Sequence, residues 1–114
     1  MGDTLVELND NRVNYLKKFA EEMPELFGQV RATTGDVYAD GAISSKTKRL
    51  MALGIALGVG CRNCILAQTH YAVENGATKE EFYEMIGVVT SLRGTTGMGE
   101  SLKVIQLLEE LGKL

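Results

Sequence analysis

The chain has 114 residues, of which 45% are hydrophobic and 24% charged, with a formal net charge of −3 and a pI of about 5.2. An acidic chain is poorly suited to neutralising a run of phosphates, which argues against a nucleic-acid partner. One Pro, no Trp and 6% aromatics leave the core to Leu, Ile, Val, Met and Ala, and the length fits a single domain over residues 1–114.

The N-terminus is polar and acidic (Asp3, Glu7, Asp10), so no secretory leader is expected. The longest apolar run, Leu50 to Gly60, falls far short of the roughly 20 residues that cross a bilayer. The expectation is a cytoplasmic protein with no membrane and no nucleic acid as partner. In a reducing compartment two cysteines three residues apart are redox-active or metal-binding before they are structural.

Leu8, Val13, Leu16, Phe19, Ala20 and Met23 recur at helical spacing opposite Asn14, Lys17, Lys18, Glu21 and Glu22. This predicts a first helix ending at Pro24, with Asp10 or Asn11 as its cap. A second helix runs from Pro24 to Ala39, with a break expected near Thr34-Gly35 and a turn at Asp40-Gly41. Ser44 and Ser45 are caps for a third helix, Lys46 to Gly58, which begins amphipathic and becomes apolar all round. Such a helix is normally buried on several sides. Its Gly54 and Gly58 read as a close-packing pair, and the run Lys46, Lys48, Arg49 reads as a solvated helix end.

Gly60 breaks the third helix, and Cys61 opens a fourth that stops at Gly76. Thr78 with Glu81 is a capping box for a fifth, carrying Phe82, Met85, Ile86, Val89 and Leu92 on one side. Gly94–Gly99 reads as a loop that matches neither phosphate-loop nor dinucleotide patterns. Leu102, Ile105, Leu108 and Leu111 then mark a last amphipathic helix. No segment alternates with period two, so the predicted class is all-α with five or six helices. So apolar a third helix in so small a chain predicts that some surface is buried between subunits.

The stretch Gly60-Cys61-Arg62-Asn63-Cys64-Ile65-Leu66-Ala67-Gln68-Thr69-His70 holds both cysteines and the only histidine. A thiolate at a helix N-terminus is stabilised by free N–H groups and by the helix dipole. Cys61, directly after Gly60, is therefore the candidate nucleophile, and Cys64 one turn later the resolving thiol. Spacing alone leaves open which of the two attacks first. Arg62 adds positive potential. The plain alternative is a pair of small core residues. Zinc needs about four ligands, and one chain offers Cys61, Cys64 and at most His70, so neither metal nor cofactor is expected. At about 100° per residue Gln68 lies about 40° from Cys64, whereas His70 lies about 240° round the helix. His70 is thus expected at the surface or at a subunit contact, away from the thiols.

Ser45-Lys46-Thr47-Lys48-Arg49-Leu50-Met51-Ala52-Leu53-Gly54-Ile55-Ala56, then Gly60-Cys61-Arg62-Asn63-Cys64, then Glu74-Asn75-Gly76-Ala77-Thr78-Lys79-Glu80-Glu81 resemble the carboxymuconolactone decarboxylase family. The CxxC resembles that of its alkylhydroperoxidase, AhpD-like, branch. The likeness runs from about Leu26 to Leu92. It implies an all-helical AhpD-like fold with a central helical hairpin, and homo-oligomers, commonly trimers or hexamers. It also implies that Cys61 and Cys64 are catalytic, reducing a peroxide or disulfide substrate with electrons from a dithiol reductant protein. In that branch a Glu stands twelve residues before the first cysteine and a His four residues after the second, as a proton relay. Here those positions hold Arg49 and Gln68, and neither is a base at neutral pH. The resemblance thus implies a dithiol without its relay, modulated by Arg49, Gln68 and Arg62. Two other functions stand beside this one: a cofactor-free lyase of the family's decarboxylase kind, and a non-catalytic oligomeric scaffold that senses redox state.

Overall fold

Helices begin where a side chain can accept the free N–H groups of the first turn. The computed structural model describes residues 4–114, and among them it has five helices and no strand. These are α1 (Leu5–Glu22), α2 (Pro24–Tyr38), α3 (Ser45–Val59), α4 (Arg62–Glu74) and α5 (Lys79–Glu110). The Ser44 hydroxyl accepts the Thr47 N–H at 3.2 Å. Thr78 and Glu81 form the expected reciprocal box at 3.2 and 2.8 Å. At α1 the cap is Thr4, which accepts the Glu7 N–H at 3.0 Å, not Asp10 or Asn11. The helix starts early because Leu5 is buried with Leu66 and Leu107, and because a Glu110 carboxylate oxygen accepts the Val6 N–H at 2.9 Å.

Two expected interruptions are helical. α2 runs unbroken through Thr34-Gly35, because Thr33 and Thr34 donate their hydroxyls back to the carbonyls of Gln29 (3.0 Å) and Arg31 (3.1 Å). Hydroxyls satisfied inside the helix do not compete with it. The glycine-rich stretch after Arg93 is not a loop either. The chain bends at Gly94 alone, with φ 68° and ψ −151°, and resumes as helix to Glu110. Gly97 serves packing at this corner. A Cβ there would stand 2.8 Å from Arg93 Cβ and 2.9 Å from Val89 Cγ1. The buried Ser101 hydroxyl donates to Gly97 O at 2.8 Å.

The core lies between α3, α4 and α5, with Leu53, Leu57, Ile65, Phe82, Val104 and Leu108 at its centre. α3 is buried on one side only within the chain: Leu53, Ala56 and Leu57 face in, while Met51, Ile55 and Val59 are exposed. Its Gly54 and Gly58 therefore receive no neighbouring helix. A Cβ at Gly54 would meet only Met85 Cγ, at 4.0 Å, and one at Gly58 would meet nothing within 4 Å. α2 buries no residue, and Leu16, Phe19 and Met23 of the first hairpin are exposed with it. This projecting arm raises the radius of gyration to 14.5 Å, against about 13 Å for a compact chain of this length. Among the described residues no helix is long and apolar enough to cross a membrane.

The basic run at the start of α3 is not a solvated end. Lys46 pairs with Glu81 at 2.9 Å. Lys48 Nζ donates to Val37 O (2.8 Å) and Ala39 O (2.7 Å), closing the C-terminus of α2, where carbonyls would otherwise be orphaned. The Ser45 hydroxyl donates to Tyr38 O at the same end.

If residues 95–99 are helical, two neighbouring glycines must respond oppositely to alanine. Gly97→Ala should destabilise by about 1–3 kcal/mol through overpacking. Gly99→Ala, with no atom within 4 Å of its Cβ position, should stabilise by about 0.5–1 kcal/mol through helix propensity. Urea unfolding of the two variants measures both; equal effects would mean a loop.

A candidate dithiol site at the tip of a helical hairpin

α3 and α4 form a hairpin whose reversal takes two residues. Gly60 closes α3 in the left-handed conformation, φ 78° and ψ 32°, which glycine adopts without a Cβ penalty. Its N–H and that of Cys61 both donate to Ala56 O, at 2.9 and 3.1 Å. Arg93 Nη1 adds a 2.7 Å bond to Leu57 O, so the end of α3 is satisfied on both flanks. Cys61 follows at once as the N-cap of α4.

This tip carries both cysteines. Cys61 Sγ accepts the Cys64 N–H at 3.3 Å, and the two cysteines are joined as a disulfide with Cα atoms 5.3 Å apart. A sulfur in the N-cap position faces the free amides and the positive end of the helix dipole. Once reduced, that environment favours thiolate over thiol. Cys61 is half-buried and Cys64 exposed, with Arg62 exposed between them.

One turn along α4 the structure brings Arg49 and Gln68 together. Arg49 Nη1 donates to Gln68 Oε1 at 3.2 Å. The guanidinium carbon lies over two aromatic rings, 3.6 Å from the centroid of Tyr38 and 4.1 Å from that of Tyr71. Both rings attract a cation to their faces. Arg49 Nε is buried without a hydrogen-bond partner. Neither tyrosine was singled out by the sequence. Tyr71 could have been, since it stands three residues after Gln68 and so shares its face. Tyr38 arrives on α2, and no local pattern announces it.

His70 is set apart from the disulfide, as helical geometry requires. It is half-buried, with Nε2 sealed from solvent and unpartnered. Burial lowers its pKa; Glu74 opposes that shift, Arg12 adds to it, and Asp10 opposes it. Among the described residues no three His, Cys, Asp or Glu side chains come together as a metal site would need.

The hairpin, its CxxC and the surrounding helices can now be set beside known proteins. Residues 24–107 match the model of the carboxymuconolactone decarboxylase family. The chain belongs to this family. A carboxymuconolactone decarboxylase family protein from Legionella pneumophila, solved as a crystal structure in its apo form, superposes with a TM-score of 0.90 at 28% identity, covering 96% of this chain and 97% of that one. Uncharacterized protein 4 in the cox locus of Paracoccus denitrificans is 33% identical over 75 residues, 66% of this chain and 68% of that protein. An uncharacterized protein of Cupriavidus necator is 28% identical over 72 residues, 63% of this chain and 64% of that protein. The family therefore accounts for the all-helical fold and the central hairpin.

The titrating groups give the family fold a two-step acid response. His70 is held below its ordinary 6.5, so the unfolded chain takes up that proton first. The stability it contributes is present above about pH 6.5 and is lost as pH falls from there toward the folded value. Glu81 and Glu100 are held below 4.5, first by hydrogen bonds from Lys46 and Lys103 respectively. At Glu110 burial pushes upward, but hydrogen bonds from Gln106, Val6 and Leu5 outweigh it. The contributions of these carboxylates persist until pH falls below about 4.5. Urea midpoints should therefore drop in an upper step that His70→Gln removes and in a lower step that it leaves intact.

Proposed function

We propose that this protein is a thiol-dependent oxidoreductase of the AhpD-like kind, in which Cys61 and Cys64 cycle between dithiol and disulfide. The observation that carries this reading is the place of Cys61: its sulfur caps α4 and bonds to Cys64 across one turn. Their Cα separation of 5.3 Å lies within the usual range for a disulfide, so closing the bond needs no backbone rearrangement.

With a disulfide substrate, the Cys61 thiolate attacks one sulfur and expels a thiolate. Cys64 then attacks the Cys61 sulfur and expels the second. With a peroxide, Cys61 takes the terminal oxygen, the O–O bond breaks and an alcohol leaves with a proton. The resulting sulfenic acid condenses with Cys64 and releases water. Both routes take two electrons from the thiols, and a dithiol reductant returns them by exchange.

The two routes differ in their proton demand. An alkoxide leaving group must be protonated, whereas a thiolate leaves as it is. Arg49 and Gln68, tied to each other, cannot relay that proton at neutral pH. Disulfide reduction is therefore the favoured activity. Arg49 acts instead as a fixed positive charge held on Gln68, which lies one helical turn beyond Cys64, supporting thiolate formation alongside the helix N-terminus. In the reduced protein the reactive thiol should alkylate with a pKa below the free-cysteine value of about 8.5, and Arg49→Ala should raise it. A pKa at or above that value, unchanged by Arg49→Ala, rejects charge activation. With a dithiol donor, Cys64→Ser should abolish turnover on disulfides.

We further infer that the protein works as a homo-oligomer, the trimer or hexamer being the expected forms. Ile55, Val59, Val88 and Leu92 are 67%, 72%, 62% and 88% exposed. They line an apolar groove of about 670 Å³ between α3 and α5, and the unused Gly54 and Gly58 allow close approach there. An exposed apolar patch of this kind marks an association surface. Leu92→Glu should lower the sedimentation mass of the wild-type assembly while leaving its helical circular dichroism intact. A wild-type monomer, or a variant with unchanged mass, contradicts the inference.

A further inference from the structure

Among the described residues Arg49 is a cation without a counter-ion. The ion pairs among the described residues join Lys46 to Glu81 and Lys103 to Glu100, and neither includes it. Its Nη1 is bonded to an amide oxygen, which carries no charge, and its Nε has no acceptor at all. The rings of Tyr38 and Tyr71 lie 3.6 and 4.1 Å from its central carbon, and an anion would meet its N–H groups. A guanidinium stays protonated in proteins, and a partly desolvated charge is costly unless it is paired.

Arg49 lines a cavity of about 310 Å³ whose other walls include Arg31, Thr34, Tyr38, Gln68 and Tyr71. Two guanidinium groups, hydroxyl groups and an amide line it, and no carboxylate does. A volume at the lower end for ligand pockets suits one acid group with a small body. The forked N–H pattern of a guanidinium matches a carboxylate bidentately. Gln68, one of its walls, stands four residues beyond Cys64, about 6 Å along α4 and about 40° round it, on the same face of the helix.

We propose that this cavity binds the carboxylate of a small organic disulfide, making anionic low-molecular-weight disulfides the preferred substrates of the dithiol. The substrate part of this assignment rests on the oxidoreductase reading above, whereas binding of a carboxylate at Arg49 does not. Bound there, the acid group anchors one end of the molecule while its S–S bond reaches toward Cys61 and Cys64. The Cys61 thiolate attacks the nearer sulfur, forming a mixed disulfide and releasing one carboxylate-bearing thiolate. Cys64, as thiolate, displaces the second, so two electrons pass from protein to substrate and the Cys61–Cys64 bond forms. The position where the family relay has an acid thus becomes the position that selects charge.

Two disulfide probes test the assignment by stopped flow on the reduced protein: dithiobis(nitrobenzoate), with two carboxylates, and uncharged dithiodipyridine. Their rate ratio cancels any change in thiolate population caused by a variant. Arg49→Gln should lower the ratio about tenfold, the loss of one charged hydrogen-bonded contact. Lys113→Gln, the same charge change outside the cavity, should leave it within about twofold. An unchanged ratio in Arg49→Gln, or an equal fall in Lys113→Gln, overturns the proposal. Binding is measured separately in Cys61→Ser/Cys64→Ser, by titrating nitrobenzoate against the ring resonances of Tyr38 and Tyr71. Saturable shifts that vanish when Arg49→Gln is added support the cavity, and their absence overturns it. Thiols inert to both probes alongside saturable ring shifts would overturn the substrate assignment and the oxidoreductase reading, while leaving the carboxylate site standing.

Discussion

A sulfur atom does the work of a helix cap in this protein. Cys61 accepts the Cys64 amide immediately after Gly60 has closed the preceding helix in the left-handed conformation. The two residues reverse the chain, so the dithiol sits at the turn between the two helices that supply much of the core. Any change that lengthens this turn would move the sulfur off the amides and weaken the electrostatic stabilisation of its thiolate. The reversal of the chain and the placement of the dithiol therefore share one set of hydrogen bonds: the pair to Ala56 O, the Arg93 bond to Leu57 O and the cap at Cys61.

Three cations at the start of α3 organise what surrounds the hairpin, each by a different interaction. Lys46 pairs with the capping carboxylate of α5, Lys48 closes the end of α2, and Arg49 lies over the rings of Tyr38 and Tyr71. The Lys48 contact brings the C-terminal end of α2 against α3 and so delivers Tyr38 to Arg49. An arm that buries none of its own residues is thus held where its Arg31, Thr34 and Tyr38 complete the cavity at Arg49 and Gln68. The same α3 turns apolar side chains outward at Met51, Ile55 and Val59, on a face where a Cβ at Gly54 would meet only Met85 Cγ, at 4.0 Å, and one at Gly58 no described atom within 4 Å.

How legible each part was depends on the range of the forces that made it. The Ser44 cap, the Thr78–Glu81 box, the glycine stops at Gly60 and Gly76 and the placement of Cys61 are contacts within about one helical turn, which a linear reading contains. The misread elements were set at longer range or by atomic detail. Thr4 displaced Asp10 and Asn11 because Leu5 is buried by residues of α4 and α5. Thr33 and Thr34 left α2 intact because their hydroxyls turn inward to the helix carbonyls. Gly97 resembled a loop residue because a close approach by Val89 and Arg93 is invisible along the chain.

The sequence by itself determined the helical class, the Gly60 break with Cys61 opening the next helix, and the separation of His70 from the thiols, because these follow from 3.6-residue periodicity and local capping; the central hairpin was implied by the family resemblance. It also placed Arg49 and Gln68 where an acid and a histidine stand in the AhpD-like branch. Only the tertiary structure decided what those two residues do. Arg49 lies nineteen positions before Gln68, and Tyr38 belongs to a third helix. Their meeting depends on how three helices are brought together, and a single guanidinium acquires its neighbours, its missing counter-ion and its cavity only there.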